Sequence, residues 1–216
     1  MASLPPSPFL YPILDPGALA GRDPVEVVGV LGEAGVRIIQ LRTKTGPDRA
    51  RYEMAARVRE ATRKGGLILV VNDRPDLARI VDAEGVHLGQ DDLPPQRIPG
   101  PARARLLVGR STHTLEQVRR ALAEPVDYLA FGPVFGTRSK SSEYSARGLE
   151  DLARAVALAS PRPVVGIGGI DAERAAGVAA TGAGVAVISA VAGAPDPRKA
   201  AGELAEIVRR AREAGR

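Results

Sequence analysis

The sequence predicts a single (β/α)8 barrel, the TIM-barrel architecture, and three observations carry that expectation. Short apolar runs alternate with amphipathic segments along the chain, eight times in all. The apolar runs are close to continuous, as strands of a parallel sheet covered on both faces must be. Turn signals rich in Gly, Pro and Asp separate the two kinds of segment, and neither a linker nor an internal repeat divides the 216 residues.

Residues 1–8 are Pro-rich and are expected to be a flexible lead-in. Phe9–Leu14 reads as the first strand, ended by the turn Asp15-Pro16-Gly17. Asp23, followed by Pro24, caps a helix to about Ala34, with Val27, Val30 and Leu31 at helical spacing, and Gly35 ends it. Val36–Leu41 is the second strand, and alternation carried past its end puts Gln40, Arg42 and Lys44 on one face, opposite Leu41. An amide and two cations at the C-terminal end of a strand suit a phosphate or another anion; a polar edge face is the plainer reading. Pro47–Lys64 is a helix with Ala50, Met54, Val58 and Ala61 on one side, closed by Gly65-Gly66.

Leu67–Val71 is the third strand and stops at Asn72-Asp73, where Asn72 is the only asparagine of the chain. After a short helix over Pro75–Val81, the fourth strand, Gly85–Leu88, runs into Gly89-Gln90-Asp91-Asp92. Two adjacent strands thus each lead to an aspartate, Asp73 and Asp92. Carboxylates gathered at one sheet edge fit Mg²⁺ shared with a substrate pyrophosphate, whereas a common alternative role for Asp before a helix is the N-cap. His87, in mid-strand, reads as a packed and hydrogen-bonded histidine.

Leu93–Arg105 is Pro-rich and holds at most a short helix. Leu106–Arg110 is the fifth strand, opening onto Ser111-Thr112-His113-Thr114 and a helix over Leu115–Ala123; Ser111 and Thr112 are equally compatible with capping, and His113 lacks a local acidic partner for acid–base work. Asp127–Ala130, the sixth strand, feeds the loop Phe131–Lys140. Gly132-Pro133 and Gly136 shape that loop, and Thr137, Arg138, Ser139 and Lys140 give it hydroxyls and cations suited to a phosphoryl group. Gly148–Ala159 is helical, and Pro163–Ile167 is the seventh strand. The turn Gly168-Gly169 then leads through Asp171, a cap, into a helix over Ala172–Thr181, an arrangement in which bare amides can close on a phosphate. Gly184–Ile188 is the last strand, ending at Ser189, and Pro197–Arg212 is the closing helix. Anion-binding loops after the last two strands are what this barrel architecture leads one to expect of a phosphate site.

Composition narrows the partners. A formal charge of +5 and a basic pI raise nucleic acid, but the charges are scattered among acids and aromatics make up only 3% of the chain, too few for base stacking. Small anionic substrates are expected instead, with no nucleic acid and no membrane. There is no cysteine, hence no disulfide or thiolate metal site, and no apolar run long enough to span a bilayer. The first residues lack the charged and apolar regions of a signal peptide, so a cytoplasmic protein, monomeric or a small homo-oligomer, is expected. Arg far outnumbers Lys and amide and sulfur residues are scarce, which heat adaptation and codon bias explain equally well.

Taken together and in order, these motifs resemble the thiamine-phosphate synthase family from Gln40 to Ser189. The resemblance implies that the Q-x-R-x-K signature (Gln40, Arg42, Lys44) grips the diphosphate of an aminopyrimidine substrate, with Asn72 and Ser111 beside it. It implies Mg²⁺ on Asp73 and on Asp92 of the H-x-G-Q-x-D segment. In the G-P-[IV]-[FY]-x-T-x-[ST]-K loop, Thr137 and Ser139 would hold a thiazole phosphate and Lys140 the diphosphate. Gly169, Ile188 and Ser189 would complete the thiazole-phosphate cradle, and Ser111, Lys140 and Arg42 would carry the catalysis. Gly136 and Ser139 stand where the family usually has Pro and Thr, without loss of a functional group. A related thiazole tautomerase shares the barrel but resembles a G-H-V-F loop, with a histidine where Pro133 stands; a basic RNA-associated module is the remaining alternative.

Overall fold

A computed structural model describes residues 3–136 and 144–215 of the chain. Eight parallel strands pair in chain order and close on themselves. They are β1 (Leu10–Leu14), β2 (Ile38–Leu41), β3 (Ile68–Asn72), β4 (Gly85–Leu88), β5 (Leu107–Thr112), β6 (Tyr128–Phe131), β7 (Val164–Ile167) and β8 (Gly184–Val187). The main helices between them are α1 (Pro24–Glu33), α2 (Asp48–Gly65), α3 (Pro75–Ile80), α4 (Gly100–Arg103), α5 (Leu115–Leu122), α6 (Gly148–Ala159) and α7 (Ala172–Ala180). Two more, α8 (Ser189–Ala192) and α9 (Pro197–Ala214), follow β8. The expected barrel is therefore the observed one.

Alternation along each strand divides the apolar residues into two layers. Outward-facing Leu10, Leu14, Ile39, Leu41, Leu69 and Val71 pack against the helices, which contribute residues such as Leu31 of α1 and Leu152 of α6, both fully buried. Each such side chain contributes roughly 1.5–3 kcal/mol relative to exposure. Inward-facing Phe9, Tyr11, Ile13, Ile38, Val70, Tyr128, Val165 and Ala186 fill the barrel, with Leu4 packed against them. The barrel is thus filled at depth by these side chains.

Asp23, Thr114, Asp171 and Asp196 cap α1, α5, α7 and α9 through side-chain bonds to backbone amides at 2.9–3.1 Å. Two local expectations are corrected. Ser111 and Thr112 belong to β5 and cap nothing; Thr114 is the cap. The short helix expected in the Pro-rich stretch before β5 is present as the single turn α4, preceded by a 3-10 turn, Pro95–Arg97. A four-residue helix, α8, begins at Ser189, where only a strand end was expected.

Candidate active site

The C-terminal ends of the strands surround a cavity of about 340 Å³. Gln40 and Arg42 enter it from the end of β2, Asn72 from β3, His87 from β4, Ser111 from β5, and Gly169, Ile188 and Ser189 from the segments after β7 and β8. Residues scattered over 150 positions of sequence meet here because a parallel barrel delivers every strand end to one face. Thr137, Ser139 and Lys140 lie outside the described residues.

Gln40, Arg42 and Lys44 do not share a single face. Gln40 is almost fully buried and donates inward to the Tyr11 hydroxyl at 3.2 Å. The Arg42 guanidinium is paired with Asp15, a residue the sequence marks only as part of a turn. Lys44 turns away from the cavity wall and pairs with Asp73. The reason is simple: β2 ends at Leu41, so strand alternation no longer governs the residues after it.

Asp73 and Asp92 do come together. Their carboxyl groups share a hydrogen bond, and Asp92 Oδ2 also accepts the Gly89 amide at 2.6 Å. Neither is a helix cap: the residue before α3 is Arg74, and the turn after Asp92 starts behind Pro94. Burial raises the Asp92 carboxyl above the usual carboxylate range and the neighbouring Asp73 raises it further, against the Gly89 amide and Lys44. Burial acts the same way on Asp73, but the bond from Asp92 and the Lys44 ammonium outweigh it and hold that carboxyl low. Two adjoining carboxyl groups beside a lysine are an arrangement that a divalent cation can occupy. Asp73 has φ +63°, a left-handed conformation that Asp and Asn tolerate better than most residues, and it aims the side chain at Asp92. Among the described residues no cluster of three or more His, Cys, Asp or Glu side chains could enclose a metal. Two carboxylates are a donor set that Mg²⁺ could use, since it commonly takes one or two and completes its shell with substrate phosphate and water.

Across the cavity, Gly168 and Gly169 have φ +105° and +62°. A Cβ on Gly169 would overlap the Gly136 carbonyl oxygen and touch Phe135, so this turn is packed directly on the loop after β6. Gly169→Val would consequently disturb both loops at once, and Ser189 is the cleaner position for a probe. Sequence reasoning missed Arg174, which lines the cavity, donates to the Gly169 carbonyl at 2.7 Å and lies 5.0 Å from the Phe135 ring centre. Its spacing from Asp171 suggests an ordinary surface ion pair; its place one turn after Gly168-Gly169 was the available signal. His113, also on the cavity, bonds the Gly132 carbonyl through Nδ1 at 2.6 Å and stacks on Tyr144 with ring centres 4.1 Å apart.

The model of the thiamine monophosphate synthase family matches residues 10–191, all eight strands included. The chain belongs to that family. Among its relatives, the thiamine-phosphate synthase of Natronomonas pharaonis is 47% identical over 192 residues, covering 88% of this chain and 89% of that one. The thiamine-phosphate synthase of Moorella thermoacetica is 44% identical over 207 residues, covering 94% and 97%. The thiamine biosynthesis bifunctional protein ThiM/ThiE of Symbiobacterium thermophilum is 47% identical over 217 residues, but the chain spans only 44% of its length. Among solved structures, thiamine phosphate pyrophosphorylase from Pyrococcus furiosus superposes with a TM-score of 0.83 at 39% identity, covering 94% of this chain and 96% of that one. A tryptophan synthase of Mycobacterium tuberculosis, at 21% identity and a TM-score of 0.68, shares the fold alone. None of the helices among the described residues is long and apolar enough to cross a membrane.

Proposed function

We propose that this cavity binds an aminopyrimidine diphosphate and a thiazole phosphate side by side and joins them, giving thiamine phosphate and pyrophosphate. The observation that carries the reading is the composition of one cavity: Gln40, Arg42, Asn72 and Ser111 on one side, Gly169, Ile188 and Ser189 on the other. Family membership and the names of the relatives point the same way. Pro133 occupies the loop position where the tautomerase-like motif carries a histidine, which favours transfer over isomerisation.

In the transfer, the C–O bond between the pyrimidine methylene and the diphosphate breaks, and its electron pair leaves on oxygen. The electron-rich pyrimidine carries the positive charge until the thiazole nitrogen donates its lone pair to form the new C–N bond. The chain's part is to position both substrates and to balance charge, so a strong base is not needed. Arg42, oriented by Asp15, faces the diphosphate from the cavity wall, and Lys44, paired with Asp73, meets it from the Asp73–Asp92 edge, while Gln40, Asn72 and Ser111 hold the pyrimidine side. Amides around Gly169 and the Ser189 hydroxyl hold the thiazole phosphate. In this reading Thr137 and Ser139 add to that cradle and Lys140 to the diphosphate. Asp73 and Asp92 would hold Mg²⁺, which when bound neutralises diphosphate charge. The setting is the cytoplasm, and the partners are these two small phosphorylated molecules.

Two variants test the division of the cavity. Ser189→Ala is expected to raise KM for the thiazole phosphate about tenfold, the weight of one charge-assisted hydrogen bond, with KM for the pyrimidine diphosphate nearly unchanged. Lys44→Ala gives the opposite pattern. Initial rates with each substrate varied in turn read both; equal effects on both substrates in either variant would dismiss the two-sided cavity.

A further inference from the structure

Beneath the cavity, five polar groups from five strands form one unbroken hydrogen-bonded chain. Gln40 Nε2 meets the Tyr11 hydroxyl at 3.2 Å, and Tyr11 meets the Tyr128 hydroxyl at 2.8 Å. Tyr128 meets His87 Nδ1 at 3.0 Å, and His87 Nε2 meets Ser111 Oγ at 2.9 Å. The chain crosses the full width of the barrel, from β2 through β1, β6 and β4 to β5, and its ends are two residues assigned above to the pyrimidine side. Gly109 of β5 makes room for it, since a Cβ there would overlap both the Tyr128 ring and His87 Nδ1. Tyr11, Tyr128, Gln40 and His87 are each at most 6% exposed, so bulk water does not compete for these bonds.

The polarity of the chain follows from its first donor. An amide nitrogen only donates, so Tyr11 accepts from Gln40; the buried hydrogen of Tyr11 itself needs an acceptor, and its other hydrogen-bond partner is the Tyr128 hydroxyl, so Tyr11 donates to Tyr128. Tyr128 then donates to His87 Nδ1, which must be bare. A neutral ring with bare Nδ1 carries its proton on Nε2, and that N–H donates to Ser111 Oγ. The Ser111 hydroxyl hydrogen is left for an acceptor further on, and Ser111 lines the cavity. Burial holds both phenols well above their usual range, so each remains a neutral hydroxyl that can donate. Turning the Gln40 amide over would reverse every bond: His87 would carry its proton on Nδ1, and Ser111 would face the cavity as an acceptor.

We propose that Tyr11, Tyr128 and His87 are positioning residues that link Gln40 to Ser111 and fix the Ser111 hydroxyl as a hydrogen-bond donor to the pyrimidine diphosphate. The role in turnover rests on the transfer reaction argued above; the polarity of the chain does not. A donor suits anionic oxygen that gains charge as the C–O bond breaks, whereas an acceptor would oppose it.

The chain has only two histidines, and the geometry gives them opposite tautomers. His87 carries its proton on Nε2, while His113 must carry one on Nδ1 to donate to the Gly132 carbonyl. ¹⁵N-edited NMR of the ¹⁵N-histidine-labelled protein, at a pH where both rings are neutral, should therefore show one ring of each kind, with Gly109 and the two tyrosines unaltered. A His87 ring protonated on Nδ1 overturns the proposal whether or not the protein is active. In kinetics, Tyr128→Phe should lower kcat about tenfold with little change in either KM, and add nothing to the loss already caused by Ser111→Ala. In the same variant His87 should lose its fixed tautomer. A Tyr128→Phe penalty that is undiminished in the Ser111→Ala background would mean a packing role only, and would overturn the assignment.

Discussion

Asp92→Ala is expected to lower the rate of pyrophosphate release by about 10³-fold or more while the protein remains folded. Removing one of two carboxylates from a Mg²⁺–diphosphate site takes away several kcal/mol of transition-state stabilisation. The structural cost is small by comparison. Asp92 lies beyond the end of β4 and supplies one bond to the Gly89 amide, a loss of about 1 kcal/mol. For a domain of this size that amounts to a fall in Tm of about 2–4 °C. Asp73→Asn is the companion variant, because asparagine keeps the left-handed backbone at this position while discarding the charge. Steady-state rates across a Mg²⁺ titration, with thermal melts of the same samples, separate the possibilities. Near wild-type turnover together with a lowered Tm would reduce Asp92 to a turn residue.

Arg42→Ala is expected to cost about 10²–10³ in kcat/KM for the pyrimidine diphosphate. Its guanidinium is the cation at the cavity wall on the diphosphate side, and paired oxygens are best met by a planar, multiply donating group. Arg42→Lys should recover only part of the loss, since an ammonium keeps the charge and loses the fork. Asp15 holds the guanidinium in place, so Asp15→Asn should show a weaker version of the same phenotype. Rates with each substrate varied at saturation of the other check this. A defect confined to the thiazole phosphate would move Arg42 to the other side of the cavity.

The fold was legible because the barrel depends on patterns that a single sequence displays: buried strands as continuous apolar runs, helix starts marked by Asp23 and Asp171, and turns marked by glycine. The strand-end residues were legible for the same reason, as polar groups where an apolar run stops. What remained hidden depends on how side chains turn after the strand ends. Lys44 faces Asp73 and not the diphosphate wall because β2 has already ended, and no periodicity extends past it. Asp15 reads as a turn former, and the structure makes it the partner of Arg42. Arg174 hides behind an i,i+3 pairing with Asp171 that hundreds of exposed helices would display. Tyr11 and Tyr128 stand 117 positions apart in runs that look simply apolar, so their contact appears only when the barrel closes.

The central claim is that one cavity joins two phosphorylated substrates. ³¹P NMR of the purified chain with Mg²⁺, the aminopyrimidine diphosphate and the thiazole phosphate tests it most directly. The expected spectrum shows the diphosphate signals replaced by free pyrophosphate and the thiazole phosphate signal replaced by that of thiamine phosphate, in equal amounts, with no change when either substrate is omitted. Pyrophosphate released without the thiazole phosphate being consumed, or a thiazole phosphate altered in the absence of the pyrimidine, would contradict the account.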